Sequence, residues 1–277
     1  MKKKKLIFVL SVLLILLIGW LIWDNERISI TNYSVKSDKL PDAFQEYVIV
    51  QVSDLHNKSF GKNQERLIKK VESAHPNMIA ITGDLIDSSH TDVNTAMDFI
   101  KEAVKIAPCY YVTGNHEAWT NIYSTELKSQ LEKCGVTILD NKSISISKNG
   151  QSITLAGLSD PDFETTTDEK NLVDGQLTQM DTKGFSILLS HRPELFPVYV
   201  RHSFSLILTG HAHGGQVRLP FIGGIVAPNQ GFFPKYTEGI FEYENTKMIV
   251  SRGLGNSIIP IRVNGCPELV VVTLYQK

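Results

Sequence analysis

Three short, uninterrupted apolar runs, separated by stretches with helical spacing, dominate the first half of the chain. "YVIVQVS" (47–53), "NMIAIT" (77–82) and "CYYVT" (109–113) are too short for helices and do not alternate, the pattern of strands buried on both faces. Between them, "NQERLIKKVESA" (63–74) and "NTAMDFIKEAVKI" (94–106) repeat apolar residues at three- and four-residue intervals. This βαβαβ order predicts a mainly parallel sheet with helices packed on it. Beyond residue 135 short strand-like segments prevail, punctuated by the hairpin signals "SKNG" (147–150) and "YENT" (243–246), which predicts a second sheet with outer helices.

Each apolar run ends in polar residues suited to binding. The first is followed by "SDLHN", the second by "TGDLID" and the third by "TGNHE"; later "FSILLSH" and "SFSLILTGHAH" repeat the design. Ligands gather at the carboxyl ends of strands in open α/β sheets, because exposed loops there are held by a rigid scaffold. Asp54 and His56 flank Leu55, so an extended backbone would point both to one face. Gly83 and Gly114 allow tight turns before Asp84 and Asn115. Paired histidines on a glycine-flanked turn can face water or cap backbone groups. Here other ligand types accompany them: Asp54, His56, Asp84, Asn115, His191, His211 and His213 converge from five strand ends. Seven ligands exceed the needs of one ion and predict two, with Asp84 as the bridging carboxylate. Imidazole, carboxylate and amide oxygen without thiolate suit Mn, Fe, Zn or Co, as divalent or trivalent ions, rather than all-oxygen Ca or Mg cages.

Composition narrows the partners. The 277 residues are 42% hydrophobic with a formal net charge of −1, which supports a sizeable core and gives no basic footprint for nucleic acid. Cys109, Cys134 and Cys266 lie far apart without metal-site spacing and read as small apolar residues. Residues 6–23 are uncharged and long enough to cross a hydrocarbon core of about 30 Å. They lack the cleavage pattern of a signal peptide, although a cleaved export signal is the rival reading. Lys2 to Lys5 precede the span, which predicts a single-pass anchor at the cell membrane with a cytoplasmic tail (1–5) and an extracytoplasmic domain. Trp20 and Trp23 would sit in the outer aromatic belt. Residues 24–45 read as linker and domain entry, and 46–277 as the domain; the oligomeric state is open.

In order, "SDLH", "GDLID", "GNHE", "LSH" and "GHAH" resemble the motif series of the calcineurin-like metallophosphoesterases, and "SRGLGNSIIPIRVNGCPELVVVTL" resembles their membrane-associated bacterial phosphodiesterase branch. The resemblance implies a four-layer α/β/β/α sandwich with a dinuclear centre between the sheets. It implies that Asp54, His56, Asp84 and His213 hold one metal, and Asp84, Asn115, His191 and His211 the other. His116, the polar residue left over in "GNHE", is then placed to protonate the leaving group, with Asp87 orienting it. Two cations about 3.5 to 4 Å apart acidify a shared water to a bridging hydroxide nucleophile and neutralise phosphoryl charge.

The substrate is expected to be a phosphoester. Family members acting on monoesters often carry arginine after the second aspartate of G-D-x-x-D, where this chain has Ser88, which favours a phosphodiester. Arg192, Arg252 and Arg262 read as phosphate contacts or as structural ion pairs. "LPFIGGIVAPNQGFFPKY" (219–236) reads as a lid or lipid-facing rim carrying Phe232 and Phe233, or as ordinary loop packing. A short tether beside the membrane makes a lipid-linked diester the sharper expectation. The rival functions are a phosphomonoesterase of the same fold and a catalytically inactive membrane-anchored metal-binding domain.

Overall fold

The computed structural model describes residues 2–256 and 261–277. Helix α1 (Lys2–Glu26) has no polar face, and the described residues bury only Asp24 of it and leave most of its apolar surface uncovered. At about 1.5 Å per residue, the expected span 6–23 measures roughly 27 Å, and the helix continues past it at both ends.

Two six-stranded sheets follow. The first has the order β1 (Ser29–Ser37), β16 (Glu268–Gln276), β2 (Tyr47–Val52), β3 (Met78–Thr82), β4 (Cys109–Val112) and β5 (Thr137–Ile138). Strands β2 to β5 are mutually parallel, as the βαβαβ pattern predicts, with α2 (Glu65–Ser73) and α3 (Val93–Ile106) as crossovers. β16 runs antiparallel to β2, so the sheet is mixed. Within 24–45, read as linker and domain entry, β1 pairs in parallel with β16 from Ser29↔Glu268 to Ser37↔Gln276 and forms an edge strand of the sheet.

The second sheet has the order β14 (Gly239–Tyr243), β15 (Thr246–Val250), β9 (Leu206–Thr209), β8 (Ser186–Leu189), β7 (Gln151–Gly157) and β6 (Lys142–Lys148). The "SKNG" and "YENT" turns join β6 to β7 and β14 to β15. Between β9 and β14 lie two small hairpins, β10 (Arg218–Leu219) with β11 (Gly223–Gly224), and β12 (Val226–Ala227) with β13 (Gly231–Phe232).

Period-two alternation divides the buried side chains into three layers of contact. From β3, Ile79 and Ile81 face α2 and α3, where they meet Leu67, Val71 and Phe99. Met78 and Ala80 face the other way, packing with Leu155, Ile187 and Leu206 of the second sheet. Leu188 and Ile207 point outward again, against Val173 and Leu177 of α6 (Glu169–Thr178) and Tyr199 of α7 (Phe196–Tyr199). The result is the expected α/β/β/α sandwich, with the carboxyl ends of β2, β3, β4, β8 and β9 meeting at one edge.

Candidate metal centre

Each expected ligand lies within four residues of a strand end. Asp54 and His56 follow β2, Asp84 follows β3, Asn115 opens the short α4 (Asn115–Ala118) after β4, His191 follows β8, and His211 and His213 follow β9. All seven are buried. The expectation that Asp54 and His56 share an extended backbone is corrected: both are left-handed, with φ of 51° and 45°. Asp84, His211 and His213 also have positive φ. Left-handed geometry costs a non-glycine residue about 1–3 kcal/mol, and here it turns each side chain inward just past the strand.

Gly83 makes the expected turn at φ +86°, but Gly114 has φ −112° and is needed for space. A Cβ on Gly114 would stand 2.2 Å from Asp84 Oδ1.

The seven side chains form two adjoining groups. Asp54, His56 and His213 bring donor atoms within 4.8 Å of one another, and Asp84, His191 and His211 do the same. In the first, Nε2 of His56 and Nε2 of His213 face each other at 3.2 Å, with Asp54 Oδ1 3.4 Å from the latter. In the second, Nε2 of His191 lies 3.2 Å from Nδ1 of His211 and 3.1 Å from Asn115 Oδ1. Asp84 joins them, because its Oδ2 is 3.4 Å from His56 Nε2 and 3.1 Å from His191 Nε2.

The donor set fits two cations. Pairs of imidazole nitrogens turned toward each other, beside two buried carboxylates, gain compensation from a positive ion between them. The far edges of His191 and His211 face oxygen acceptors, as metal-binding histidines require, whereas that of His213 faces a guanidinium, which can only donate. His191 Nδ1 donates to the Thr82 carbonyl at 2.8 Å, His211 Nε2 faces Asn229 Oδ1 at 3.3 Å, and His213 Nδ1 faces the Arg262 guanidinium at 3.1 Å. Burial, then the neighbouring Arg192 for His211 and His56 with Arg262 for His213, push both rings well below the usual imidazole range, so they are neutral donors. Burial opposes charge on His191, but the Asp84 carboxylate outweighs it and lifts the pKa to about 10. A cation held at Nε2 would compete with that proton.

His116 is 3% exposed and joins neither of these groups; it clusters instead with His56 and Asp87. Its backbone N–H donates to Asp84 Oδ1 at 2.9 Å, and its Nδ1 accepts from the Ser88 backbone N–H at 3.0 Å. Asp87, expected to orient His116, has its Oδ2 3.7 Å from His116 Nδ1 and 3.6 Å from His56 Nδ1.

Sequence reasoning assigned no role to three neighbours, the buried Glu117 and Asp160 and the exposed Asn229. Glu117 accepts from the backbone N–H groups of Asp84 at 2.8 Å, Gly114 at 2.8 Å and Ile86 at 3.2 Å, bracing the Asp84 turn from beneath. Its signal was the fourth letter of "GNHE", three residues after a helix-entry glycine. Asp160 and Asn229 had no local signal. Asp160 holds Arg192 through bonds of 2.6 and 2.7 Å, and Arg192 in turn lies 3.4 Å from His211 Nε2. Of the arginines read two ways, Arg192 and Arg252 are engaged in ion pairs, Arg252 with Glu238 at 2.8 Å and Glu268 at 3.2 Å. Arg262 is fully buried and donates to the Arg252 carbonyl at 2.6 Å.

A four-layer sandwich with two facing groups of imidazole and carboxylate across its strand ends defines a metallohydrolase architecture. Residues 47–215 match the family model of the calcineurin-like phosphoesterases, and the chain belongs to that family. It is similar to the uncharacterized metallophosphoesterase YkuE of Bacillus subtilis (strain 168), 32% identical over 264 residues covering 91% of this chain and 87% of the relative. Similarity to the uncharacterized metallophosphoesterase Cj0846 of Campylobacter jejuni is 32% over 286 residues, 99% of this chain and 71% of that one. Among solved structures, TT1561 of Thermus thermophilus shares the fold with a TM-score of 0.52 at 13% identity, covering 76% of this chain and 91% of that chain.

Proposed function

We propose that the protein is a metal-dependent phosphodiesterase acting at the outer face of the cell membrane on a lipid-linked substrate. The observation that carries the hydrolase reading is Asp84 Oδ2, which lies within 3.4 Å of an imidazole nitrogen from each ligand group. Asp54, His56, Asp84 and His213 would hold one ion, and Asp84, Asn115, His191 and His211 the other. Mn, Fe, Zn or Co suits these donors. When bound, the two ions acidify a water and neutralise charge on the phosphoryl oxygens. The protein's own contribution is to hold the phosphorus in line and to serve the leaving oxygen. His116 is the residue for the second task, with its ring against the exposed Trp119, 4.9 Å between centroids. Phosphodiester specificity is supported by Ser88, whose backbone N–H is occupied by His116 and whose side chain carries no charge for a second phosphate anion.

The purified full chain should bind two transition-metal ions and hydrolyse an aryl phosphodiester faster than the corresponding monoester. A preference for the monoester would favour the rival phosphomonoesterase, and two bound metals with neither activity would favour the inactive metal-binding domain.

The loop at 219–236 supports membrane proximity. Phe221, Phe232 and Phe233 are 109%, 77% and 70% exposed, whereas Asn229 of the same loop reaches His211. The loop's base is tied to the strand of chain beside α1 by the Val217↔Val263 bridge. Protease added to intact protoplasts is expected to digest the domain while leaving a membrane-protected fragment of α1; protection until the membrane is broken would reverse the orientation.

A further inference from the structure

Trp119 is 54% exposed, yet its indole is fixed at three points. Its backbone N–H closes α4 on the Asn115 carbonyl at 2.9 Å. Its ring lies 4.9 Å from that of His116, three residues back on the same helical face, and its Nε1–H donates to Asp162 Oδ2 at 2.8 Å. Asp162 belongs to the turn Pro161–Phe163 after β7, so this last bond joins a loop of the first sheet to a loop of the second. The acceptor is itself held: Arg192 Nη2 stands 2.9 Å from the same Oδ2, and Arg192, buried, is gripped by Asp160. A solvent-facing aromatic gains little for the fold from a buried ionic anchor. An aromatic placed in advance for a ligand loses less freedom on binding.

His56, Asp87 and Ser88 also adjoin the His116 ring, and none of them is as open as Trp119: the first two are buried and Ser88 is half-buried. The separation of 4.9 Å between the His116 and Trp119 centroids is one ring-packing distance, so a ring borne one carbon away from an oxygen at His116 falls within reach of the indole. A phosphodiester carries two alcohols, and the one whose oxygen lies at His116 is the one that departs.

Resting on the reading of His116 as the residue that serves the leaving oxygen, we infer that Trp119 walls the leaving-group subsite and that this subsite takes an alcohol with a planar or apolar ring next to its oxygen. Trp119 thereby sets which of the two P–O bonds is broken.

Benzyl ethyl phosphate tests this within one molecule, because its two alcohols have similar acidity and only one carries a ring. Water gives its hydroxyl to phosphorus and its remaining proton to the departing oxygen, releasing either benzyl alcohol and ethyl phosphate or ethanol and benzyl phosphate. With the metal-loaded full chain, benzyl alcohol should exceed ethanol about tenfold, and Trp119→Ala should bring the two close to parity. The product ratio does not depend on how much of a variant is folded or loaded. Trp119→Phe keeps a ring without the bond to Asp162, and Asp162→Ala frees the indole; both ratios should fall between. Tyr243→Ala removes an equally exposed ring from β14, at the outer edge of the second sheet, and should keep the wild-type ratio. Binding gives a second readout. Methyl(2-phenylethyl)phosphinate, in which carbon replaces both ester oxygens, should alter the indole fluorescence of the wild type but not that of Trp119→Phe, whose remaining tryptophans are Trp20 and Trp23. A wild-type product ratio near one, an unchanged ratio in Trp119→Ala with both rates lowered together, or no change in fluorescence would overturn the subsite and leave the indole as a support for the His116 ring. Those outcomes keep the phosphodiesterase reading, since the diester is still hydrolysed. No hydrolysis of the diester with two metals bound would overturn that reading and the subsite with it.

Discussion

Asp84→Asn is expected to leave a folded protein that binds at most one metal ion per chain and loses about three orders of magnitude in turnover. The backbone around position 84 should survive, because Glu117 grips the Asp84 and Ile86 N–H groups and not the Asp84 side chain. The asparagine oxygen can replace Oδ1 in accepting the His116 N–H. That choice puts the amide NH₂ where Oδ2 stood, between His56 Nε2 and His191 Nε2, where it donates to the lone pairs that the cations need. The opposite flip sets a donor against the His116 N–H. Neither orientation restores an anion shared between two positive ions. Metal content by mass spectrometry and melting with and without added Mn are the readouts. The wild type should gain about 2.7 kcal/mol of stability at a hundredfold excess over Kd, and the variant distinctly less. Two metals per chain with full turnover would exclude Asp84 as the bridge.

What the sequence made legible, and what it did not, follows from how far each feature reaches along the chain. The strand ends were readable because parallel strands buried on both faces leave continuous apolar runs, and each ligand lies within a few residues of where a run stops. The gathering of Asp54, Asp84, His191 and His211 needed only the rule that such ends collect on one edge. The pairing of β1 with β16 was not readable. "SITNYSVKS" is two-thirds polar, as an edge strand can be, and its partner lies some 240 residues away with no turn to set the register. Asn25 likewise looks like an ordinary interfacial residue after an apolar span. Only its two bonds to the Arg262 backbone reveal that the helix is docked. Asp87 shows a third kind of limit: G-D-x-x-D placed it near the centre, but its nearly equal distances to His56 and His116 depend on a turn that no spacing encodes.

His116→Ala should keep both metals and lose about 10² to 10⁴ in rate on alkyl phosphodiesters, with a distinctly smaller loss on a nitrophenyl diester. The metals are expected to remain because His56, His191, His211 and His213 supply the imidazoles of both groups, and the contact from position 116 to Asp84 is made by the backbone N–H, which alanine retains. The difference between substrates arises at the leaving oxygen. A nitrophenolate departs without a proton, whereas an alkoxide requires one. In the free protein, burial lowers the His116 pKa, and the Ser88 N–H bonded to Nδ1 fixes a neutral ring whose proton is on Nε2. For the ring to carry a second proton, Nδ1–H must find an acceptor: the Ser88 hydroxyl is 3.2 Å away and the Asp87 carboxylate 3.7 Å. The adjacent His56 ring, 3.6 Å away, and hydrogen bonds from Ser89 hold Asp87 well below the usual carboxylate range, so it stays anionic and can support the imidazolium when substrate arrives. Asp87→Asn should therefore reproduce part of the alkyl-selective loss, whereas Asp87→Glu should recover some of it. Equal losses on alkyl and aryl substrates in His116→Ala would mean that the ring donates a hydrogen bond to a phosphoryl oxygen and transfers no proton, and loss of a metal would make it a ligand.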